Sequence, residues 1–451
     1  MTARAQLILL AVLASIAASG CVESSREEAT GKAAIRAVNA IVTAPDVAFR
    51  IEQRTLGNIG YGSSTQAQRY DDLSYTFNFD VTIPGETNAR RLASRFLDVV
   101  RDTDYQFVLA GPSVDDAEII LWEQPERAWD GSETVFELNF ANLNNSTGPV
   151  DFYVAADGVA PAAGSEAATV ANGEREGPVE FPEGDYVVTI TPAGDPQTIL
   201  FQSPVRNYQP ASTDTLMLLD ADPSRTGALG VRLVTAAGDS IEYGDPRFPA
   251  LGRVLHAAVG IGNVDLAEDD DFANLVAADL AFGELSADTP LSSGTNSYTF
   301  TDAGNAGAVI AEADEAITLG FFETLVLVGP ESDPDVVNYV GIRRGFSTSG
   351  RVGFVNLDSG RDTIDVYLLP AGTAVDGAVP SSAFLAFTQS TGFGAVEARE
   401  YELTVTESAD QEAILAGPEP VTVANGDVVE IFVLETADPN VLSIEVVRNA
   451  P

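Results

Sequence analysis

Ile35-Arg36-Ala37-Val38-Asn39-Ala40 is a short apolar run ending in a polar side chain, and the chain repeats it three more times. The other copies are Glu137-Leu138-Asn139-Phe140-Ala141-Asn142-Leu143, Arg253-Val254-Leu255-His256-Ala257-Ala258 and Arg351-Val352-Gly353-Phe354-Val355-Asn356-Leu357. Each is followed by a turn-like stretch and a second run: Val47-Ala48-Phe49-Arg50-Ile51, Val150-Asp151-Phe152-Tyr153-Val154, Val264-Asp265-Leu266 and Ile364-Asp365-Val366-Tyr367-Leu368. In the second and fourth copies these runs alternate in character, the period of a strand with two different faces.

Working outward, each copy then places a Tyr in another alternating run, such as Tyr186-Val187-Val188-Thr189-Ile190 and Tyr401-Glu402-Leu403-Thr404-Val405. Each approaches its end with an apolar run, among them Tyr105-Gln106-Phe107-Val108-Leu109-Ala110 and Val428-Val429-Glu430-Ile431-Phe432-Val433-Leu434. Many short β-patterned runs separated by Gly, Pro, Asp and Asn predict an all-β protein. Each copy has roughly the ~100 residues of one sandwich. We therefore expect four tandem immunoglobulin-like β-sandwich domains, at 32–130, 131–246, 247–346 and 347–451. These copies exceed solenoid repeats in length, so each is expected to hold its own core, as a string of domains. Leu92, Phe96 and Val100 recur every fourth residue, which suits a helix, but alignment with the other copies assigns Asn88 to Val100 to a strand.

The R-x-V-N-A opening, the D-V-Y strand and the Y-x-V-T strand resemble the bacterial domain-of-unknown-function family 4397. The resemblance covers nearly all of the chain after residue 31 and is strongest at Gly350 to Asn449 and Thr134 to Val234. It implies immunoglobulin-type sandwiches, often in tandem and often exported. No activity comes with it.

Residues 1–20 read as a lipoprotein signal peptide: Arg4 is the positive region and Leu7 to Ala18 the apolar one. That stretch is too short to span a ~30 Å bilayer, which takes about 20 residues. Ala18-Ser19-Gly20-Cys21 resembles the bacterial lipobox, in which Leu is commonest at the place of Ala18. The resemblance implies cleavage before Cys21 and a lipid on its sulfur. Cys21 is the only cysteine, which suits an attachment point; the plainer alternative is an ordinary secretory signal with an incidental Cys. Residues 21–31 are polar and suit a flexible tether. Val22 and Glu23, with no Asp after the Cys, resemble Gram-negative lipoproteins sorted to the outer membrane.

With 67 acidic and 24 basic residues the net charge is −43, the wrong sign for nucleic acid or for anionic lipid held by a general field. Lys32 is the only lysine, a surface composition like that of exported proteins from salt-adapted organisms. A Ser-His-Asp triad needs a histidine, and the one present, His256, stands where the other copies carry Asn39, Asn142 and Asn356. Backbone hydrogen bonding at the end of the first strand accounts for a polar residue there. One Cys and one His cannot build a zinc site, no phosphate-binding loop is present, and carboxylate pairs in so acidic a chain discriminate nothing. No catalytic residue and no cofactor are expected.

The sharpest acidic cluster contains Asp265, Glu268, Asp269, Asp270 and Asp271. It is a candidate calcium loop by ligand type, without EF-hand spacing, and its competing reading is a solvated loop. Trp122 and Trp129 are read as core or interdomain contacts, with sugar stacking as the alternative. Arg90, Arg91, Arg95 and Arg101, the one basic concentration, are read as intramolecular ion-pair partners, with docking of a partner as the alternative. The expected function is a lipid-anchored, non-enzymatic envelope protein that binds an envelope protein or a glycan. A calcium- or ligand-binding role and, last, a carboxylate hydrolase compete with it.

Overall fold

In the first repeat the alternating runs form β1 (Lys32–Asn39), β2 (Val47–Ile51), β3 (Arg54–Ile59), β4 (Gln68–Asp71), β5 (Ser74–Val81), β6 (Arg90–Asp98), β7 (Thr103–Ala110) and β8 (Glu118–Pro125). They make two four-stranded sheets, ordered β4-β1-β7-β8 and β3-β2-β5-β6. The pairing of β1 with β7 is parallel, with Ile35 opposite Tyr105 and Ala37 opposite Phe107. Between the sheets lies an apolar core in which Ala33, Ile35 and Ala37 meet Phe49, Phe77, Phe79 and Phe107. The Phe77 and Phe107 rings stack at 4.1 Å. The stretch with helical spacing is the edge strand β6: Leu92 packs on the core, and Phe96 stands 65% exposed.

The computed structural model describes residues 28–449; the signal segment, Cys21 and the tether up to residue 27 lie outside the described residues. Those described contain strands and turns and no helix, so the protein is all-β, a tandem of four sandwiches. The third and fourth repeats reproduce the eight-strand order, with Ala250–His256 parallel to Phe322–Val328 and Gly350–Leu357 parallel to Val428–Leu434. The second pairs Val135–Asn142 with Thr213–Leu219 and adds a further strand, Ser240–Tyr243, at the edge of that sheet.

The repeated polar residues hold turns. Asn39 accepts a hydrogen bond from the Ile41 amide at 3.1 Å, Asn142 from Asn144 at 3.2 Å and Asn356 from Asp358 at 3.0 Å. The side-chain amides donate to the carbonyls of Ile59, Gly148 and Leu385. The buried Asp of the second strand works the same way. Asp365 accepts from the amides of Phe384 at 2.7 Å and Ala409 at 3.0 Å; Asp265 accepts from Asp279 and Gly304, both at 2.8 Å. Ala409 sits at φ 62°, and its bond to Asp365 ties down a left-handed turn that its Cβ disfavours.

The string of separately cored domains that the repeat pattern suggests is only half the architecture. Each sandwich has its own core, but the strands equivalent to β1 and β7 are buried on both faces. Val38, Val108 and Trp122 of the first repeat pack on Ala141, Leu143, Met217 and Leu219 of the second. Leu255, Val326 and Val328 of the third pack likewise on Val355, Leu357, Phe432 and Leu434 of the fourth. The repeats therefore stand as two face-to-face pairs, each sharing a buried apolar seam.

Candidate functional site

The two pairs meet where the second repeat hands over to the third. The Thr226 amide donates to Gly320 O at 2.9 Å, and the Arg225 guanidinium lies 3.5 Å over the Phe321 ring. The segment between the third and fourth repeats crosses the same region. Ser224 Oγ accepts from the amides of Arg343 and Arg344, both at 2.9 Å. Arg344 then reaches the first repeat, donating from Nη1 to Val42 O at 3.1 Å and Ala44 O at 2.9 Å. Through these contacts one arginine touches both pairs.

A cleft of about 310 Å³ opens between the second and third repeats. Its second-repeat wall is built by the additional strand Ser240–Tyr243 and the Pro-flanked segment after it, which supply Glu242, Tyr243, Asp245 and Phe248. The turn 318–321 of the third repeat closes it with Thr318, Leu319 and Phe321. Phe248 and Phe321 are half-buried, so aromatic surface faces the opening. The walls come together at Gly244, which faces the Leu319 side chain.

Every carboxylate of this cleft has an arginine. Glu242 pairs with Arg225 at 3.2 Å and Arg232 at 3.1 Å; Asp222 lies 3.8 Å from Arg344; Arg247 donates to Asp245 at 2.9 Å. Four of the 24 basic residues are thus spent here, and a cleft in a chain of net charge −43 is close to neutral. The Tyr243 hydroxyl shares a 2.9 Å hydrogen bond with that of Tyr208, and burial raises its pKa, so it stays a neutral phenol.

The residues singled out in the sequence lie elsewhere. His256 is fully buried: its Nδ1 accepts from the Ala258 amide at 3.4 Å and its Nε2 donates to Gly262 O at 2.9 Å. Both nitrogens are thus occupied by backbone, in the same turn that Asn holds in the other repeats. Burial keeps the imidazole below its ordinary value. The unfolded chain therefore binds a proton first as pH falls through about 6.5, and this contribution to stability is lost on acidification. His256→Asn should remove it: between pH 7 and pH 5 the thermal midpoint of the parent should fall further than that of the variant.

The acidic cluster does not converge on one point. Asp265 holds the Asp279 and Gly304 amides, and Glu268 accepts from the Ser292 amide at 2.9 Å and the Tyr298 hydroxyl at 3.1 Å. Asp269 accepts from the Ser297 amide, Asp270 from the Thr299 hydroxyl, and Asp271 from Ala273 and Asn274. Among the described residues no group of three or more His, Cys, Asp or Glu is placed to hold a metal ion.

Trp122 is buried in the seam of the first pair, whereas Trp129 is half-buried with the Arg127 guanidinium 3.7 Å over its ring. Within the basic concentration, Arg90 pairs with Asp115 at 3.1 Å, Arg91 with Asp80, and Arg101 lies 3.9 Å from Asp102, all inside the first repeat. Arg95 is exposed on β6. The cleft itself escaped the sequence reading. Its one sequence signal is that the second repeat is the longest, and insertions in repeat proteins often build a binding face. No protein-family model matches the chain, and no curated protein matches it.

Proposed function

We propose that this chain is an exported, lipid-anchored envelope protein, held to the outer membrane through Cys21, whose four sandwiches form a non-enzymatic binding body. The observation that carries the reading is the interdomain cleft, set where the two seamed pairs meet and joined by the Thr226–Gly320 hydrogen bond and the Arg225–Phe321 contact. Small-molecule sites occur preferentially at such domain interfaces, and clefts of roughly 300–1,000 Å³ suit them. The histidine and the strand aspartates serve the scaffold, each holding backbone turns. Lipid anchoring fits a chain with one cysteine next to its signal segment.

The test is intact mass of the protein from native membranes, with and without inhibition of the lipid-specific signal peptidase. A mature chain beginning at Cys21 and carrying acyl mass, lost on inhibition, is the expected result. An unlipidated mature chain overturns the anchor and moves the search to soluble partners.

A further inference from the structure

We infer that the cleft between the second and third repeats binds a neutral carbohydrate unit; this rests on reading the chain as a binding protein and names the ligand class. Two observations carry it. The first is charge. Glu242 is held by Arg225 and Arg232, Asp245 by Arg247, and Asp222 lies beside Arg344. A charged ligand would have to compete with a guanidinium or a carboxylate already paired, and would leave one partner without its counter-charge in a partly desolvated site. A hydroxyl does not face that cost. It donates to a carboxylate and accepts from a guanidinium while the ion pair stays intact. The Glu242–Arg225 pair, with the Thr318 hydroxyl on the opposing wall, presents acceptors and donors together, as vicinal hydroxyls require.

The second observation is the aromatic surface. Phe248 and Phe321 are both half-buried on the cleft walls, beside Leu229 and Leu319; Arg225 already covers one face of the Phe321 ring, so Phe248 is the ring offered for stacking. The C–H face of a pyranose carries slight positive charge and fits the negative face of an aromatic ring. A ligand with one apolar face and a rim of neutral hydroxyls meets both features. A purely apolar ligand would leave the Glu242 and Arg225 groups without water, at a cost. An anionic one would also meet the repulsive field of a chain of net charge −43. The cleft, at about 310 Å³, is sized for one or two rings rather than a long chain.

The full-length protein, in a detergent without a sugar headgroup, should be titrated with glucose, galactose and N-acetylglucosamine, and in parallel with glucuronate and glucosamine. Saturation-transfer NMR reads binding. At least one neutral sugar should bind saturably, and more tightly than its charged counterparts. Glu242→Gln should weaken it about tenfold, the loss of one charge-assisted hydrogen bond. Because Glu242 also pairs two arginines, Thr318→Trp is the second variant. Thr318 is exposed at the rim, so the bulky ring should fill the cleft and abolish binding while the melting temperature stays at the parent value. Failure of all three neutral sugars to bind, tighter binding of a charged one, or binding that survives Thr318→Trp overturns the inference. The anchor has its own readout in acyl mass, so a lipidated chain that binds no sugar keeps the envelope reading and removes this one.

Discussion

Arg253→Ala should cost the third and fourth repeats about 3–5 kcal/mol of unfolding free energy, because it strands a buried carboxylate. Arg253 lies on the first strand of the third repeat and reaches across the seam to the fourth. Its Nη2 donates to Glu430 Oε2 at 2.8 Å, its Nη1 to Asn449 Oδ1 at 2.8 Å and its Nε to Thr324 Oγ1 at 3.0 Å. The two side chains are 9% and 4% exposed, so water cannot replace a lost partner. Burial pushes the Glu430 carboxyl up, and the Arg253 guanidinium opposes that shift, helped by the Asn449 side chain. Without Arg253 the folded carboxyl rises further above its unfolded value. The folded state then binds more protons than the unfolded one, and stability falls as pH rises past the ordinary glutamate range. The defect should accordingly be smaller at pH 5 than at pH 8. Replacing both residues with Met should restore most of the loss, since a packed apolar pair avoids the desolvation. Urea unfolding followed by circular dichroism measures all of this. A loss below about 1 kcal/mol at pH 8 would show that the seam lets water in, contrary to the exposure of the pair.

Arg344→Ala should separate the two pairs of sandwiches. The guanidinium is mostly buried and donates to two carbonyls of the first repeat, at 3.1 and 2.9 Å. It also lies 5.0 Å over Phe346 and 5.7 Å over Tyr61, whose hydroxyl donates to the Asp220 carbonyl of the second repeat. Hydrogen bonds from a charged group contribute about 1.5–3 kcal/mol each, so removing both weakens this junction by roughly 3 kcal/mol or more. Of the residues Arg344 touches, only Val42 and Tyr61 also border the first-pair seam, and the apolar packing within each pair should survive. The expected result is a larger radius of gyration by small-angle scattering and two unfolding transitions in place of one. Arg344→Lys keeps the charge but not the planar group that stacks and donates in a fork, and should fall between. Unchanged scattering with a single transition for Arg344→Ala would mean that Thr226–Gly320 and the Arg225–Phe321 contact suffice to join the pairs.

Either variant also bears on the cleft. Arg253→Ala acts at the seam between the third and fourth repeats, where its partners Thr324, Glu430 and Asn449 lie outside the cleft lining, so sugar binding should persist wherever the variant stays folded. Arg344 stands behind Asp222, and the cleft lies between repeats that belong to different pairs. Opening that junction widens the site, and affinity should fall with the scattering change.

Much of the fold was legible because its causes are local. Alternation at Ile364–Leu368 follows from one face on the core, and the repeated Asn at 39, 142 and 356 marks turns that a nearby side chain must hold. His256 could be placed among them before its ring was seen, since any short acceptor at that register meets the amide two residues on. The seams were written more faintly. Thr215-Leu216-Met217-Leu218-Leu219 is apolar without alternation, the mark of a strand buried on both faces, but the run does not say what covers its second face.

The sequence by itself determined that the chain folds as four β-sandwiches and where each polar turn residue sits, because strand period and turn chemistry act between residues near in the chain. Only the tertiary structure decided which sandwich packs on which, that Arg253 finds Glu430 across 177 residues and Arg344 finds Val42 across 302, and that four arginines neutralise one cleft. Those pairings depend on rigid-body packing of finished domains. An exposed charge and a buried, paired one look the same in a sequence until the opposing surface is in place.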